Sequence, residues 1–179
     1  MTPELRTRRL VLRRWRESDR DAFFALNSDP AVMATIGPVM TRAESDAFMN
    51  RIEQRFGERP FGLWCVDLDG ESIGFTGLVV PWFREGVEVG WRIRSEYWGH
   101  GYAPEAATEC LRYAFDEVGL DEVISFTAAT NTKSMRVMEK IGLTRDPAGD
   151  FEHPGVPEGS PLRPHVLYRI DRERYGAAL

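Results

Sequence analysis

The sequence is poor in the residues that build cross-links and metal centres: 179 residues hold two cysteines and three histidines. Cys65 and Cys110 stand alone without ligand-type spacing, which excludes a disulfide framework and a zinc ribbon. They are expected to be buried thiols in the core of a cytoplasmic protein. His100, His153 and His165 lie far apart and have no partners at ligand spacing, so no metal site is expected. Long apolar runs are also missing. A stretch such as Leu78 to Phe83 is far too short to span a bilayer, and the charged TPELRTRR near the start has no apolar run of a leader peptide. A formal charge of −5 argues against non-specific nucleic-acid binding, because phosphate affinity comes largely from Lys and Arg. Repeats and low-complexity tails are absent.

What remains is ordinary for a soluble globular chain, with 42% apolar and 28% charged residues, and the length fits one domain over 1–179. RLVLRRW (9–15) alternates as a first strand. A short helix is expected over 18–27, stopping before Asp29-Pro30, and a second over 42–56, where Thr41 and Glu44 have capping-box spacing. Residues 61–68 and 72–80 pattern as strands around Asp69-Gly70, a hairpin signature. A further strand (86–94), a helix (103–117), a strand (123–130) and a helix over 130–142 follow, the last with Asn131 as N-cap and Gly142 beyond its end. HVLYRI (165–170) is the last strand. The Pro- and Gly-rich 153–164 is a loop long enough to be functional. Mixed strands and helices over one sheet make the fold α/β or α+β.

The stretch YWGHGYAPEA (97–106) starts a helix without a capping side chain. Gly99-His100-Gly101 stands where Ser, Thr, Asp or Asn would be. The free N–H groups and the helix dipole form a ready anion site suited to a phosphate ester. Water or the Glu105 carboxylate would satisfy them equally well.

Trp98 to Ala103 resembles the acyl-CoA signature of the GNAT N-acetyltransferases, a six-residue pattern with Gly fourth (Gly101) and Gly or Ala last (Ala103). Trp98 replaces its usual Gln or Arg, and YWGHGYAPEA is similar to the RimJ/RimL-like branch. Asn131, Ser134 and Gly142-Leu143 reproduce a second family spacing. The resemblance implies a mixed, mostly antiparallel central sheet, flanked by helices and splayed after its fourth strand, with acetyl-CoA in the wedge as cosubstrate. It puts Gly99, His100, Gly101, Tyr102 and Ala103 at the pyrophosphate, and Trp91, Ile93, Asn131 and Ser134 among the other cofactor contacts. Many relatives are monomers or homodimers.

Acetyl transfer needs a neutral amine, a donor for the carbonyl oxygen and a proton for the thiolate. In VEVGWRI, Glu88 shares a face with Gly90 and Arg92, opposite Val87, Val89, Trp91 and Ile93. Glu88 is the candidate base, with pairing to Arg92 as the competing structural role and Glu105 as the weaker rival. Met138 occupies the family's usual tyrosine position and cannot donate a proton. Ser134 could supply one, or could cap its own helix, just as Asn131 has a sufficient role as N-cap. Acceptor walls are expected in the early helices, at Pro81-Trp82-Phe83 and in 153–164. A protein N-terminal α-amine is the acceptor suggested by the branch. A small amine or antibiotic, or a non-catalytic acyl-CoA sensor, are the alternatives.

Overall fold

The computed structural model describes residues 3–177; residues 1–2 and 178–179, which the sequence places in the same domain, lie outside the described part. The chain runs β1 (Leu5–Arg6), β2 (Val11–Arg13), α1 (Arg20–Ser28), α2 (Pro30–Met33), α3 (Arg42–Glu58), β3 (Leu63–Leu68), β4 (Glu71–Val79) and β5 (Glu88–Ile93). Then come α4 (Tyr102–Arg112), β6 (Glu122–Ala128), α5 (Thr132–Lys140), β7 (Thr144–Arg145), β8 (Phe151–Glu152), β9 (Pro164–Asp171) and α6 (Arg172–Ala177). One turn of π-helix, Tyr113–Val118, continues α4.

Local signals act as the sequence indicates. Thr41 and Glu44 cap α3 reciprocally, and Asp69-Gly70 turns the β3–β4 hairpin with both residues at positive φ. Asp29-Pro30 ends α1 and also starts α2, because the Asp29 side chain accepts the Ala31 N–H at 2.8 Å.

The sheet order is β1-β2-β3-β4-β5-β6-β9-β7, with β8 also pairing β9. All pairs are antiparallel except β5–β6. Residues Ser72 to Leu78 of β4 are buried on both faces. Phe23 of α1 and Phe48 of α3 pack on Phe75 from one side; on the other, Thr76 meets Cys110 of α4. A buried Arg13 joins β2 to Asp19 and Asp67, each at 2.7 Å.

The sheet opens between β5 and β6. These parallel strands pair at a single position, Glu88 with Ile124. The next β5 carbonyl on that side, Val89, is taken by the Ser125 hydroxyl at 2.8 Å instead of a backbone N–H, while β6 pairs over seven residues with β9. The opening therefore follows β5, the fourth of the strands expected from the sequence (86–94), as the resemblance implied. The unanticipated two-residue β1 adds one strand at the far edge.

Candidate active site

The wedge leads into a cavity of about 960 Å³ that reaches both faces of the sheet. Its β5 wall has a defined chemistry. The Arg94 N–H bonds the Ile73 carbonyl, so in this antiparallel ladder Glu88, Gly90 and Arg92 bond β4, and Val89, Trp91 and Ile93 turn their backbone groups toward β6. The Ile93 carbonyl accepts the Trp98 indole N–H at 2.8 Å. Trp91 lies beyond the last β5–β6 pair, with its N–H and carbonyl facing the opening.

At one end of the cavity sits the glycine turn. Gly101 is the N-cap of α4 at φ 79°, Gly99 has φ 82°, and no side chain among the described residues caps the helix. The first helical bond runs from the Glu105 N–H to the Gly101 carbonyl at 3.2 Å. Among the described residues, the N–H groups from Gly99 to Ala103 have no partner. Glu105 does not fill that role. It accepts from the Thr7 hydroxyl at 2.6 Å, the Arg9 N–H at 2.9 Å and Arg9 Nε at 2.7 Å. Burial opposes its charge, but those bonds outweigh it and hold the carboxyl below its usual range. Arg9 also donates to the His100 carbonyl at 3.0 Å, pinning the turn from behind. The His100 ring is exposed and stacks on Tyr102, and neither residue lines the cavity, which meets the turn at Gly99, Gly101 and Ala103.

Glu88 opens onto the cavity and is otherwise enclosed by protein. Burial pushes its carboxyl up to about 8, against the opposing pull of Arg84. It forms no ion pair with Arg92 among the described residues. Arg92 turns to Asn27 instead, donating from Nη1 at 2.5 Å.

Across the wedge, Asn131 caps α5 by accepting the Ser134 N–H at 3.2 Å, and donates to the Thr127 hydroxyl at 3.0 Å. The Ser134 side chain lines the cavity, and its hydroxyl has no partner among the described residues. Met138 is in the core, 1% exposed. The sequence reading missed a row of cations: Lys133, Arg136 and Lys140 of α5 all line the cavity. Their i, i+3, i+7 spacing was there to be seen.

One expectation is corrected. His153 and His165 do not lie apart: Phe151 of β8 pairs with His165 of β9, which brings the two rings to 4.8 Å. Both line the cavity, and burial lowers both below the usual histidine value. Among the described residues, no group of three or more His, Cys, Asp or Glu is gathered as for a metal ion. The 153–164 loop reaches the cavity through His153, Gly155 and Val156. Pro81-Trp82-Phe83 stays behind it, with Phe83 packed on Phe126, Phe151 and His153.

An uncapped helix start, a wedge with free backbone groups and an enclosed carboxyl thus share one cavity. Residues 9–144 match the acetyltransferase (GNAT) domain profile. The chain is 35% identical to the FsC-acetyl coenzyme A-N(2)-transacetylase of Aspergillus fumigatus over 97% of its own length and 78% of that protein's. It is 31% identical to the uncharacterized N-acetyltransferase YnaD of Bacillus subtilis, covering 94% and 97% of the two chains. A GNAT-family acetyltransferase structure from Bacillus anthracis superposes with a TM-score of 0.80 at 30% identity, covering 96% of this chain and 99% of that one. With its splayed sheet and uncapped glycine turn, the chain belongs to the GNAT family of N-acetyltransferases.

Proposed function

We propose that this N-acetyltransferase moves the acetyl group of acetyl-CoA to the primary amine of a small molecule in the cytoplasm. The observation that carries the reading is the run of N–H groups from Gly99 to Ala103, without partners among the described residues, which meets the cavity that also holds Glu88 at Gly99, Gly101 and Ala103. The turn suits the pyrophosphate. Lys133, Arg136 and Lys140 suit the cofactor's remaining phosphate. The Trp91 N–H faces the wedge as a donor to the thioester carbonyl oxygen. Ionised Glu88 takes a proton from the amine, whose nitrogen then attacks the carbonyl carbon. As the C–S bond breaks, the nitrogen gives up its second proton and the departing thiolate takes one up, with the Ser134 hydroxyl positioned to relay it, in place of the tyrosine that Met138 cannot replace.

A small acceptor is favoured by the pinned wall on that side. Arg163 Nη1 donates to the Val156 carbonyl at 2.7 Å, and His153 Nδ1 accepts the Gly155 N–H at 3.0 Å. The A. fumigatus relative, named for an N(2) transacetylation, points the same way. Cytoplasmic residence agrees with two buried, unpaired cysteines. Calorimetry with acetyl-CoA, followed by thiol release over small amines and peptide N-termini, tests this. Small amines should turn over. Exclusive turnover of peptides would overturn the acceptor class, and binding without thiol release would make the chain an acyl-CoA sensor.

A further inference from the structure

Arg92 is a half-buried cation, its Nε fully enclosed, that no carboxylate among the described residues neutralises. The same protein shows how it treats a buried arginine whose role is purely structural, since Arg13 sits between the carboxylates of Asp19 and Asp67. Among the described residues, no carboxylate pairs with Arg92. Its Nη1 is held by the neutral amide of Asn27, which is itself fixed by donating to the Ser45 hydroxyl at 3.0 Å. Nε is buried without a partner. The guanidinium lies against Phe75 at 5.2 Å and Phe48 at 6.0 Å, and burial lowers its basicity. Leaving such a charge uncompensated is costly unless something else supplies the anion.

The residue also lines the cavity from the face carrying α1 and α3, opposite α4 with its glycine turn. Glu88, Gly90 and Arg92 form one row along β5, and Gly90 adds no side chain between the two charged ends. At about 3.3 Å per residue, their backbones stand roughly 13 Å apart, the span of a short amine with a second polar end. With Nη1 occupied by Asn27 and Nε buried, Nη2 is the guanidinium nitrogen left to meet a carboxylate oxygen in the cavity.

We propose that Arg92 receives a carboxylate of the acceptor, so that the substrate is an amine that also carries a carboxylate, with its nitrogen toward Glu88. This rests on the acetyltransferase reading above. It makes Arg92 a specificity-determining residue and disfavours polyamines, whose second cation would meet Arg92.

Titration calorimetry on the full chain saturated with CoA tests it, using ε-aminocaproate and leucine, each against its neutral carboxamide, with hexamethylenediamine as the dicationic counterpart. The carboxylates should bind roughly ten- to a hundredfold more tightly than their carboxamides. Arg92→Gln should erase that ratio while leaving carboxamide binding within about twofold. Asn27→Asp, which gives Arg92 an internal anion, should erase it with the arginine still present. Equal binding of carboxylate and carboxamide to the unaltered protein, no binding of any probe, or an equal loss for both in Arg92→Gln would overturn the proposal. The acetyltransferase reading fails separately, by absence of thiol release with every amine.

Discussion

Glu88 shows what a single residue gains from its place in the fold. Its carboxyl, pushed up to about 8 by burial, is a stronger base than a surface glutamate and is ionised only above that pH. The expected kcat/KM for acetyl transfer therefore rises with pH and levels off above about 8. Glu88→Gln should flatten the profile and lower kcat roughly a hundred- to ten-thousandfold, which initial rates across pH will reveal. The same shift affects stability. Between the ordinary glutamate value of 4.5 and about 8, the folded protein holds a proton that the unfolded chain has released. Stability should thus fall as pH rises through that window, and Glu88→Gln should remove that part of the decline in urea melts run at each pH. The alternation in VEVGWRI was enough to assign Glu88 its face. It could not show that Arg92 turns to Asn27, 65 positions away, nor that Glu105 turns to Arg9, 96 positions away. Both partners come from tertiary packing, which a local pattern does not encode.

At the scale of elements, legibility followed length. The β3–β4 hairpin, the Thr41 cap and the Asn131 cap each carry a local signal strong enough to survive in the fold. Two-residue strands such as β1, β7 and β8 carry no periodicity, and the four-residue α2 has little more. The histidine pair was illegible for that reason, since only the pairing of β8 with β9 aligns it. The glycine turn was legible as an uncapped helix start, and it supports a direct test. Gly101 sits at φ 79°, where alanine costs about 1–2 kcal/mol, and a shifted turn also misaims the N–H groups. Gly101→Ala should raise KM for acetyl-CoA roughly tenfold while leaving acceptor KM unchanged in steady-state assays. On α5, Arg136→Gln should weaken acetyl-CoA binding and reduce its sensitivity to added salt, because one screened phosphate contact is lost. An unchanged salt response would exclude α5 from the phosphate site.

On the scale of the whole molecule, the sheet is two halves held by very little backbone. Strands β1 to β5 form one half, and β6, β9, β7 and β8 form the other. Between them run one ladder position, the Ile124 N–H to the Val87 carbonyl at 2.9 Å, and the Ser125 hydroxyl to Val89. A ladder this short leaves the β6-facing N–H groups of Trp91 and Ile93 without partners among the described residues, although β5 is paired along its other edge with β4, whereas the β3–β4 hairpin is paired over its length and covered on both faces. An acetyl-CoA lodged between the α4 turn, the Trp91 backbone and α5 would contact both halves at once. It should act as the missing rung. At a hundred times its Kd, such a ligand adds about 2.7 kcal/mol to stability, and each 1 kcal/mol raises Tm by about 2–4 °C for a chain of this size. The location of the effect is more telling than its size. Amide exchange should slow at Trp91 and Ile93, from Gly99 to Ala103, and in the first turn of α5, and should stay unchanged in the β3–β4 hairpin. Protection confined to the glycine turn would mean that the ligand docks by its phosphates alone and does not bridge the wedge.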